Sequence, residues 1–341
     1  MILQRRLDGL QAGRAVAALL VVAFHINVYT LPERFYDGQT TSVLFNMGYA
    51  GVEFFFVLSG FIIYYIHAKD IGCANTARRF IKRRVLRIFP IYWFILTGLL
   101  GLYFISGTRP PNGLDFQSII SSYFLVPSPG DPILIVAWTL EHEMLFYAVF
   151  LSLILSRIIG KLIFALWIAG SVLVPLLDIQ LFPLNFLFSD YNLLFLFGMI
   201  AAMAYKRISN HASLIVFLLG AAIYFGTGLS EVLGHIDWAH SWRTWAYGIG
   251  ATAMTATLAG AVISPPKWLV FLGDASYSIY LAHLPALGVM AAVLSKLGGP
   301  WGLPPFIGFL IMFGCALAAG CLVYIMVERP LMRYFANTKN Y

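Results

Sequence analysis

Residues 10–30 read LQAGRAVAALLVVAFHINVYT. The run matches the roughly 20 mostly apolar residues that a helix needs to cross a bilayer. A helix here carries Arg14 to His25 through eleven residues, about 1,100° of rotation and about 16 Å of rise, so both side chains fall on one face. Arg14 is then predicted near one mouth of the span and His25 near mid-membrane. Outward from this stretch, similar apolar runs recur near 48–67, 88–106, 133–155, 161–178, 189–205, 212–229, 244–263, 270–294 and 305–327, parted by charged or Pro/Gly-rich breaks. The predicted fold is all-α, a polytopic transmembrane helical bundle of about ten spans.

Composition supports this and excludes much else. The 341 residues are 60% hydrophobic and 11% charged, whereas soluble chains carry about 25% charged residues. Ten spans use roughly 200 residues and leave about 14 per connection, too few for a separate soluble catalytic domain. The chain therefore reads as a single membrane domain over 1–341, without internal repeats. The 16% aromatics and scattered Gly and Pro, without alternating ten-residue segments, favour a helical bundle over an outer-membrane barrel. The basic start followed by an apolar stretch resembles a signal peptide but lacks a small-residue cleavage site, so it reads as a retained first helix. Cys73 sits in a polar connection and Cys315 and Cys321 share one apolar run; free thiols are expected.

An even number of spans puts both termini on one side, and 18 of the 22 Lys and Arg residues fall on that side. Only Arg34, Arg109, Arg243 and Lys296 fall on the other. By the positive-inside rule both termini are predicted cytoplasmic. These loops also account for the net charge of +7, and the outside carries too few basic residues for a nucleic-acid footprint. The longest outside connection, roughly 107–132 with GTRPPNG and PSPGDP, is read as a cap or lining over an outward cavity.

Ionisable groups at membrane depth are costly, and each is a functional hypothesis unless a structural partner explains it. His25 is either a hydrogen-bonded packing residue or a reactive one. In GVEFFFVLSGFIIYY, 51–65, Glu53 either lines the bundle or reaches water at the outer end, while Ser59 and Gly60 permit close helix approach. In WTLEHEMLFY, 138–147, the consecutive Glu141, His142 and Glu143 cannot share one face, so at least one points inward. Trp138 opens this segment and is a candidate cavity residue. Glu143 and Tyr147 are four apart and line one stripe, with Glu141 nearer the water. In GDASYSIYLAHLP, 273–285, Asp274, Ser276, Tyr277, Tyr280 and His283 decorate one helix, and Tyr277, Tyr280 and His283 form a seam at three-residue spacing. Such a seam joins helices in lipid or lines a site.

The cytoplasmic run ARRFIKRRVLRIFPIYW, 77–93, follows from positive-inside anchoring for most of its charges. Arg84 and Arg87 differ. They lie three apart at the mouth of the next span, just before Pro90, and arginine grips phosphate by paired hydrogen bonds. The spacing points to capture of a polyphosphate. No H-E-x-x-H or Cys-pair spacing suggests a metal.

Six segments, LQAGRAVAALLVVAFH, GVEFFFVLSGF, RRVLRIFPIYW, WTLEHEMLFY, SYSIYLAHLP and VERPL, resemble in this order the acyltransferase family 3 membrane proteins, which O-acylate bacterial surface sugars. The first two are most similar to the exopolysaccharide-production branch. The family's arginine, ten residues, then histidine pattern falls on Arg14 and His25, its arginine, two residues, then arginine pattern on Arg84 and Arg87, and its glutamate before Phe-Tyr on Glu143. Two departures stand out. The common form near the fourth span is closer to W-S-L-x-V-E, so Glu141 and His142 are local additions, and the soluble esterase-like domain of many relatives has no counterpart here.

The resemblance implies transfer of an acetyl group from cytoplasmic acetyl-CoA to a sugar hydroxyl, in a bacterial inner membrane. The nucleotide head would dock near Arg84 and Arg87, and the pantetheine arm would pass Arg14 toward His25, acting as base or acyl carrier. Glu143 would hold the imidazole; Ser276 and Tyr277 are the candidates for oxyanion stabilisation. A polyprenol-linked oligosaccharide, a finished polymer and a small molecule all remain open as acceptor. A transporter or flippase for a sugar or lipid-linked substrate would also bury ionisable groups, but would be expected to show inverted repeats and paired broken helices. A non-catalytic scaffold for polysaccharide assembly is the remaining reading.

Overall fold

The computed structural model describes residues 7–110, 113–234, 240–260, 264–297, 299 and 302–337. Arg5, Arg6 and Lys339, counted above among the inside charges, lie outside the described residues, as do Pro111 and Asn112 of the long outside connection and 261–263 at the end of one predicted span. Among the described residues there is no strand. The principal helices are α1 (Asp8–His25), α2 (Gly51–His67), α3 (Ala77–Ser106), α4 (Trp138–Leu155), α5 (Arg157–Leu176), α6 (Asn192–Ala204), α7 (Asn210–Val232), α8 (His240–Gly260), α9 (Lys267–Lys296), α10 (Pro305–Val323) and α11 (Arg329–Asn337).

Nine helical stretches among the described residues are long and apolar enough to cross a membrane, and they coincide with nine of the ten predicted runs. The protein is a multi-pass membrane protein. The tenth run, 244–263, is α8, 21 residues long but diluted by Thr, Gly and Arg243. Its composition is offset locally: the hydroxyls of Thr252 and Thr257 donate to the carbonyls of Gly248 and Ala253 at 2.7 and 2.9 Å, so these polar groups are satisfied within the helix. It runs antiparallel to α7, with Arg243 against Glu231, Tyr247 against Tyr224 and Gly250 against Gly220. Its far end enters a buried cluster, Ala256 and Ala259 meeting Leu10, Leu58, Phe61, Ala201 and Ala202.

The chain divides into two compact units, Met1–Tyr65 with Leu194–Val323, and Ile66–Leu193 with Tyr324–Tyr341. In the first, α1 packs along α9 and against α8, α9 also carries α10, and α7 pairs with α8. Small residues set the close approaches. A Cβ on Gly60 would lie 2.1 Å from the Phe195 carbonyl oxygen and one on Gly198 1.9 Å from that of Val57, so α2 and α6 touch backbone to backbone. Gly273 does the same for α9 on α1, where a Cβ would stand 2.0 Å from the Gln11 carbonyl oxygen.

In the second unit α4 packs on α5 and on α3, and α3 also meets α11. The helix Ala77–Ser106 passes through Pro90 and stops at Gly107, whose φ of 69° supplies the left-handed C-cap. The connection after α2 is tied to the α4–α5 corner by Gly72 N–H donating to the Leu153 carbonyl at 2.9 Å. The outside connection carries a short helix, Phe116–Phe124, capped by Asp115, which accepts from Ser118 N–H at 2.6 Å. The hydrogen bonds from Ser118 hold the Asp115 carboxyl below the usual carboxylate range. This helix lies on α3: Tyr92 donates to the Ser122 carbonyl at 2.5 Å and Trp93 to that of Tyr123 at 2.8 Å.

The glycine approaches are testable. Gly60→Val or Gly198→Val forces a branched side chain into a backbone carbonyl, an overpacking cost of about 1–3 kcal/mol or more, and is expected to lower the thermal midpoint in detergent and the yield in membranes. Gly98→Ala on α3, where a Cβ would meet nothing within 4 Å, should leave both unchanged.

Candidate active site

In the first unit, the close approach at Gly273 brings the polar residues of α9 onto the Arg14–His25 face of α1. At one end Arg14 Nε donates to Ser276 Oγ at 3.1 Å and Arg14 Nη1 to Gln11 Oε1 at 3.4 Å. Ser276 is fully buried. At the other end His25 meets His283: Nε2 of His283 is 3.3 Å from Nδ1 of His25, with ring centroids 4.9 Å apart. Two separate sequence candidates thus lie on one seam.

The partners fix the protons. His25 Nδ1 lies 2.9 Å from the Val21 carbonyl and His283 Nδ1 lies 2.6 Å from the Tyr280 carbonyl. A carbonyl only accepts, so each Nδ1 carries hydrogen. Neutral His283 then has its lone pair on Nε2, which accepts from His25 Nδ1–H. The lone pair of neutral His25 falls on its Nε2, the atom free to take a proton or attack a carbonyl. A π-helical turn, Ile26–Thr30, follows at once, and it delivers the fully buried Asn27 to the next connection. Asn27 Nδ2 donates to Asn46 Oδ1 at 2.8 Å and its Oδ1 accepts from Thr41 N–H at 2.8 Å. The rest of the seam packs: Tyr280 contacts Phe55 and His283 through its ring, and Tyr277 is half-buried.

Glu53 lines the interior, 1% exposed, within electrostatic range of Tyr49, Tyr224 and Tyr247. Tyr49 belongs to a second cluster, in which Glu231 accepts from Tyr49 Oη at 2.5 Å and from Arg243 Nη1 at 2.8 Å.

In the second unit, Tyr147 Oη donates to Glu143 Oε1 at 2.5 Å, and the Arg84 guanidinium lies over the Tyr147 ring, 5.7 Å from its centroid. Arg87 donates from Nη1 to Glu328 Oε1 at 2.5 Å, and Glu328 is 1% exposed. Arg84 and Arg87 therefore have different surroundings, an aromatic face for one and a buried carboxylate for the other. Glu141, read above as nearer the water, is buried, and so is His142. His142 is boxed by Trp138, Phe186 and Tyr191, with ring centroids at 5.7, 4.4 and 5.9 Å. These rings enclose the middle one of the three consecutive polar residues, while Glu143 accepts from Tyr147. Among the described residues no group of three or more His, Cys, Asp and Glu is placed to hold a metal ion, and all three cysteines are free.

Sequence reasoning assigned no role to Glu328, which lies 241 positions from Arg87; a lone glutamate at the end of an apolar run was the available signal. The pair makes an asymmetric prediction. Arg87→Ala strands a buried carboxylate and should cost roughly 3 kcal/mol, whereas Glu328→Gln leaves an arginine that is 30% exposed and should cost less. The double variant Arg87→Ala/Glu328→Ala should recover part of the loss, read as thermal midpoints of purified protein.

Comparison with known proteins places these features in a family. The family described as "Acyltransferase domain" matches residues 7–325. The chain is similar to the exopolysaccharide production protein ExoZ of Rhizobium meliloti, 33% identical over 88% of this chain and 94% of that protein. It is also similar to the acyltransferase MdmB of Streptomyces mycarofaciens, 27% identical over 98% of this chain and 94% of that protein. A third relative is the putative peptidoglycan O-acetyltransferase YrhL of Bacillus subtilis, 26% identical over 96% of this chain and 55% of that protein. No solved structure matches at a significant level. With the family match running from α1 into the last turns before α11, and a relative above 30% identity along most of its length, the chain belongs to acyltransferase family 3 and is a membrane O-acyltransferase.

Proposed function

We propose that the protein moves an acetyl group from acetyl-CoA to a hydroxyl of a surface or exopolysaccharide sugar, with His25 at the chemical step. The observation that carries this reading is the His25–His283 pair, which leaves the Nε2 lone pair of His25 as the reactive atom. Nε2 takes the hydroxyl proton as the sugar oxygen attacks the thioester carbonyl. The tetrahedral intermediate collapses, the carbon–sulfur bond breaks, and the leaving thiolate takes the proton back from the imidazolium, giving the ester and free CoA. In the covalent variant Nε2 attacks first, the thiolate leaves, and the sugar hydroxyl then displaces the imidazole, its proton passing to the thiolate to give the ester and free CoA. Ser276 and Tyr277 are the oxyanion donors in this reading.

Arg84 and Arg87 bind the phosphates of the donor, with Arg14 along the path of its arm. Arg84 lies over the Tyr147 ring with its Nε–H unpartnered; Arg87 would exchange or share Glu328 on binding. The lysine and arginine asymmetry favours cytoplasmic termini in a bacterial inner membrane, with the donor entering from the cytoplasmic side. The likeness to ExoZ favours an exopolysaccharide acceptor, and a polyprenol-linked sugar is the form that would meet the enzyme within the membrane.

The test is transfer of labelled acetyl from acetyl-CoA to membrane glycan at matched protein levels. His25→Ala should lose about 100- to 10,000-fold at saturating donor, the range for a positioned base. Arg84→Ala should recover most of its rate when acetyl-CoA is raised. Unchanged labelling in His25→Ala would remove the histidine from the chemistry and return the transporter and scaffold readings. His283→Ala, acting through His25, should lower kcat by about 10- to 100-fold, as when a partner that orients a reactive histidine is removed, with little change in the donor KM.

A further inference from the structure

One pair of ionisable residues has no role in the transfer chemistry. His67, the last residue of α2, is 1% exposed. Its Nδ1 lies 2.7 Å from Asp70 Oδ2, and the other oxygen of Asp70 accepts from Arg79 Nη2 at 3.1 Å. The carboxylate fixes the tautomer, since Nδ1 must carry hydrogen to face it. The second ring nitrogen, Nε2, is buried without a hydrogen-bond partner. The imidazole stands edge-on to Phe80, with ring centroids 5.0 Å apart.

Phe80 locates the unpartnered nitrogen. Arg84 follows it by four residues on α3, one turn and about 6 Å further along the same face. Phe80 also packs on Tyr147, the ring beneath the Arg84 guanidinium. Arg83 and Arg84 are both within electrostatic range of His67. Arg84 Nε is itself buried without a hydrogen-bond partner. Two orphaned buried nitrogens thus flank one phenylalanine in a single compact unit, beside two guanidinium groups. An anion with several acceptor oxygens satisfies the Arg84 Nε–H directly, and satisfies His67 once Nε2 also carries hydrogen.

We propose that His67 and Arg84 form a phosphate site in which His67 takes up a proton as the phosphate of the acyl donor binds. The identity of the ligand rests on the donor-binding role of Arg84 proposed above. The charged groups that face His67 are Arg83 and Arg84 on α3 and Asp70, which is shared with Arg79. An arriving phosphate oxygen faces Nε2, and a second hydrogen there turns an acceptor into a donor. One proton from solvent goes onto Nε2, and no covalent bond to the phosphate forms. His67 is a positioning residue for the donor rather than part of the transfer chemistry. Its signature is linkage: donor affinity falls as pH rises and the proton becomes costlier, by at most about tenfold per pH unit for one proton.

The experiment uses the full chain in phosphatidylcholine nanodiscs, with coenzyme A as the probe, by calorimetry in buffers of differing ionisation enthalpy between pH 7 and 9. Wild type should take up a proton on binding, and its Kd should rise with pH. His67→Gln, whose amide donates without titrating, should bind with no proton uptake and a Kd that stays flat. Asp70→Asn, which leaves His67 in place, should weaken binding at pH 9 more than at pH 7. Proton uptake in His67→Gln equal to wild type would overturn the proposal. If Arg84→Ala also leaves binding unchanged, the donor-binding reading of Arg84 falls with it; if Arg84→Ala weakens binding while His67→Gln matches wild type, only this proposal falls. Phosphate can also come from anionic lipid. Uptake on adding coenzyme A in phosphatidylcholine assigns the site to the donor, and uptake that appears only on moving the protein into phosphatidylglycerol overturns that assignment in favour of headgroups.

Discussion

Hydrocarbon offers no water to a buried charge, so every ionisable side chain that enters a span must find its partner inside the protein. That constraint organises the helix contacts. Arg14 is held by Gln11 and Ser276, Arg87 by Glu328, and Glu231 by Arg243 and Tyr49. Each pairing needs two backbones close together, and glycine supplies the distance where it matters most: Gly273 seats α9 on α1 at the turn that brings Ser276 to Arg14. The apolar surface that makes the chain a membrane protein says little about which helices touch. The polar residues, being few and costly, determine the neighbours.

The same constraint creates reactivity. A histidine with both nitrogens satisfied is a packing residue; one whose Nδ1 is committed has a single defined reactive atom. His25 and His67 are built on this plan with different partners, a carbonyl and a second imidazole for one, a carboxylate for the other. A neutral imidazole as partner holds a tautomer without adding negative charge, and so leaves the base weaker than a carboxylate would. A carboxylate partner favours the imidazolium instead. The first arrangement suits a group that must give its proton back within a turnover, and the second suits one that holds a positive charge while an anion stays bound.

The fold was legible because apolar length is a local property: nine of the predicted runs are helices fit to cross a membrane. The tenth was legible as a run but not as an ordinary span, since α8 owes its place to packing on α7 and to threonines that bond their own backbone. The Arg14–His25 face and the Glu143–Tyr147 stripe followed from helical spacing within one segment. Glu328 as partner of Arg87 did not, because no local rule joins positions so far apart in the chain. The enclosure of Glu141 was missed for a related reason: its position suggested the membrane surface, and only the folded chain shows that it is buried. His67 and Asp70 were within reach of the three-residue spacing rule, but His67 only ends a predicted run and Asp70 lies in the connection beyond it, where charge is ordinarily solvated.

Two polar deliveries share a backbone device. The π turn Ile26–Thr30 begins immediately after His25, and the π turn Tyr324–Glu328 ends on the glutamate that meets Arg87. A π turn inserts one residue, and at about 100° per residue it rotates everything beyond it relative to the face before it. In the first case the shift lets α1 present His25 to α9 while Asn27, two residues later, binds the 41–46 segment. In the second, the turn ends on Glu328, a buried carboxylate that accepts from Arg87 of α3. Regular α-helix would force both residues of each pair to obey one periodicity. Helices that carry an acyltransferase site within spans must both pack and react, and the inserted residue is what separates the two demands.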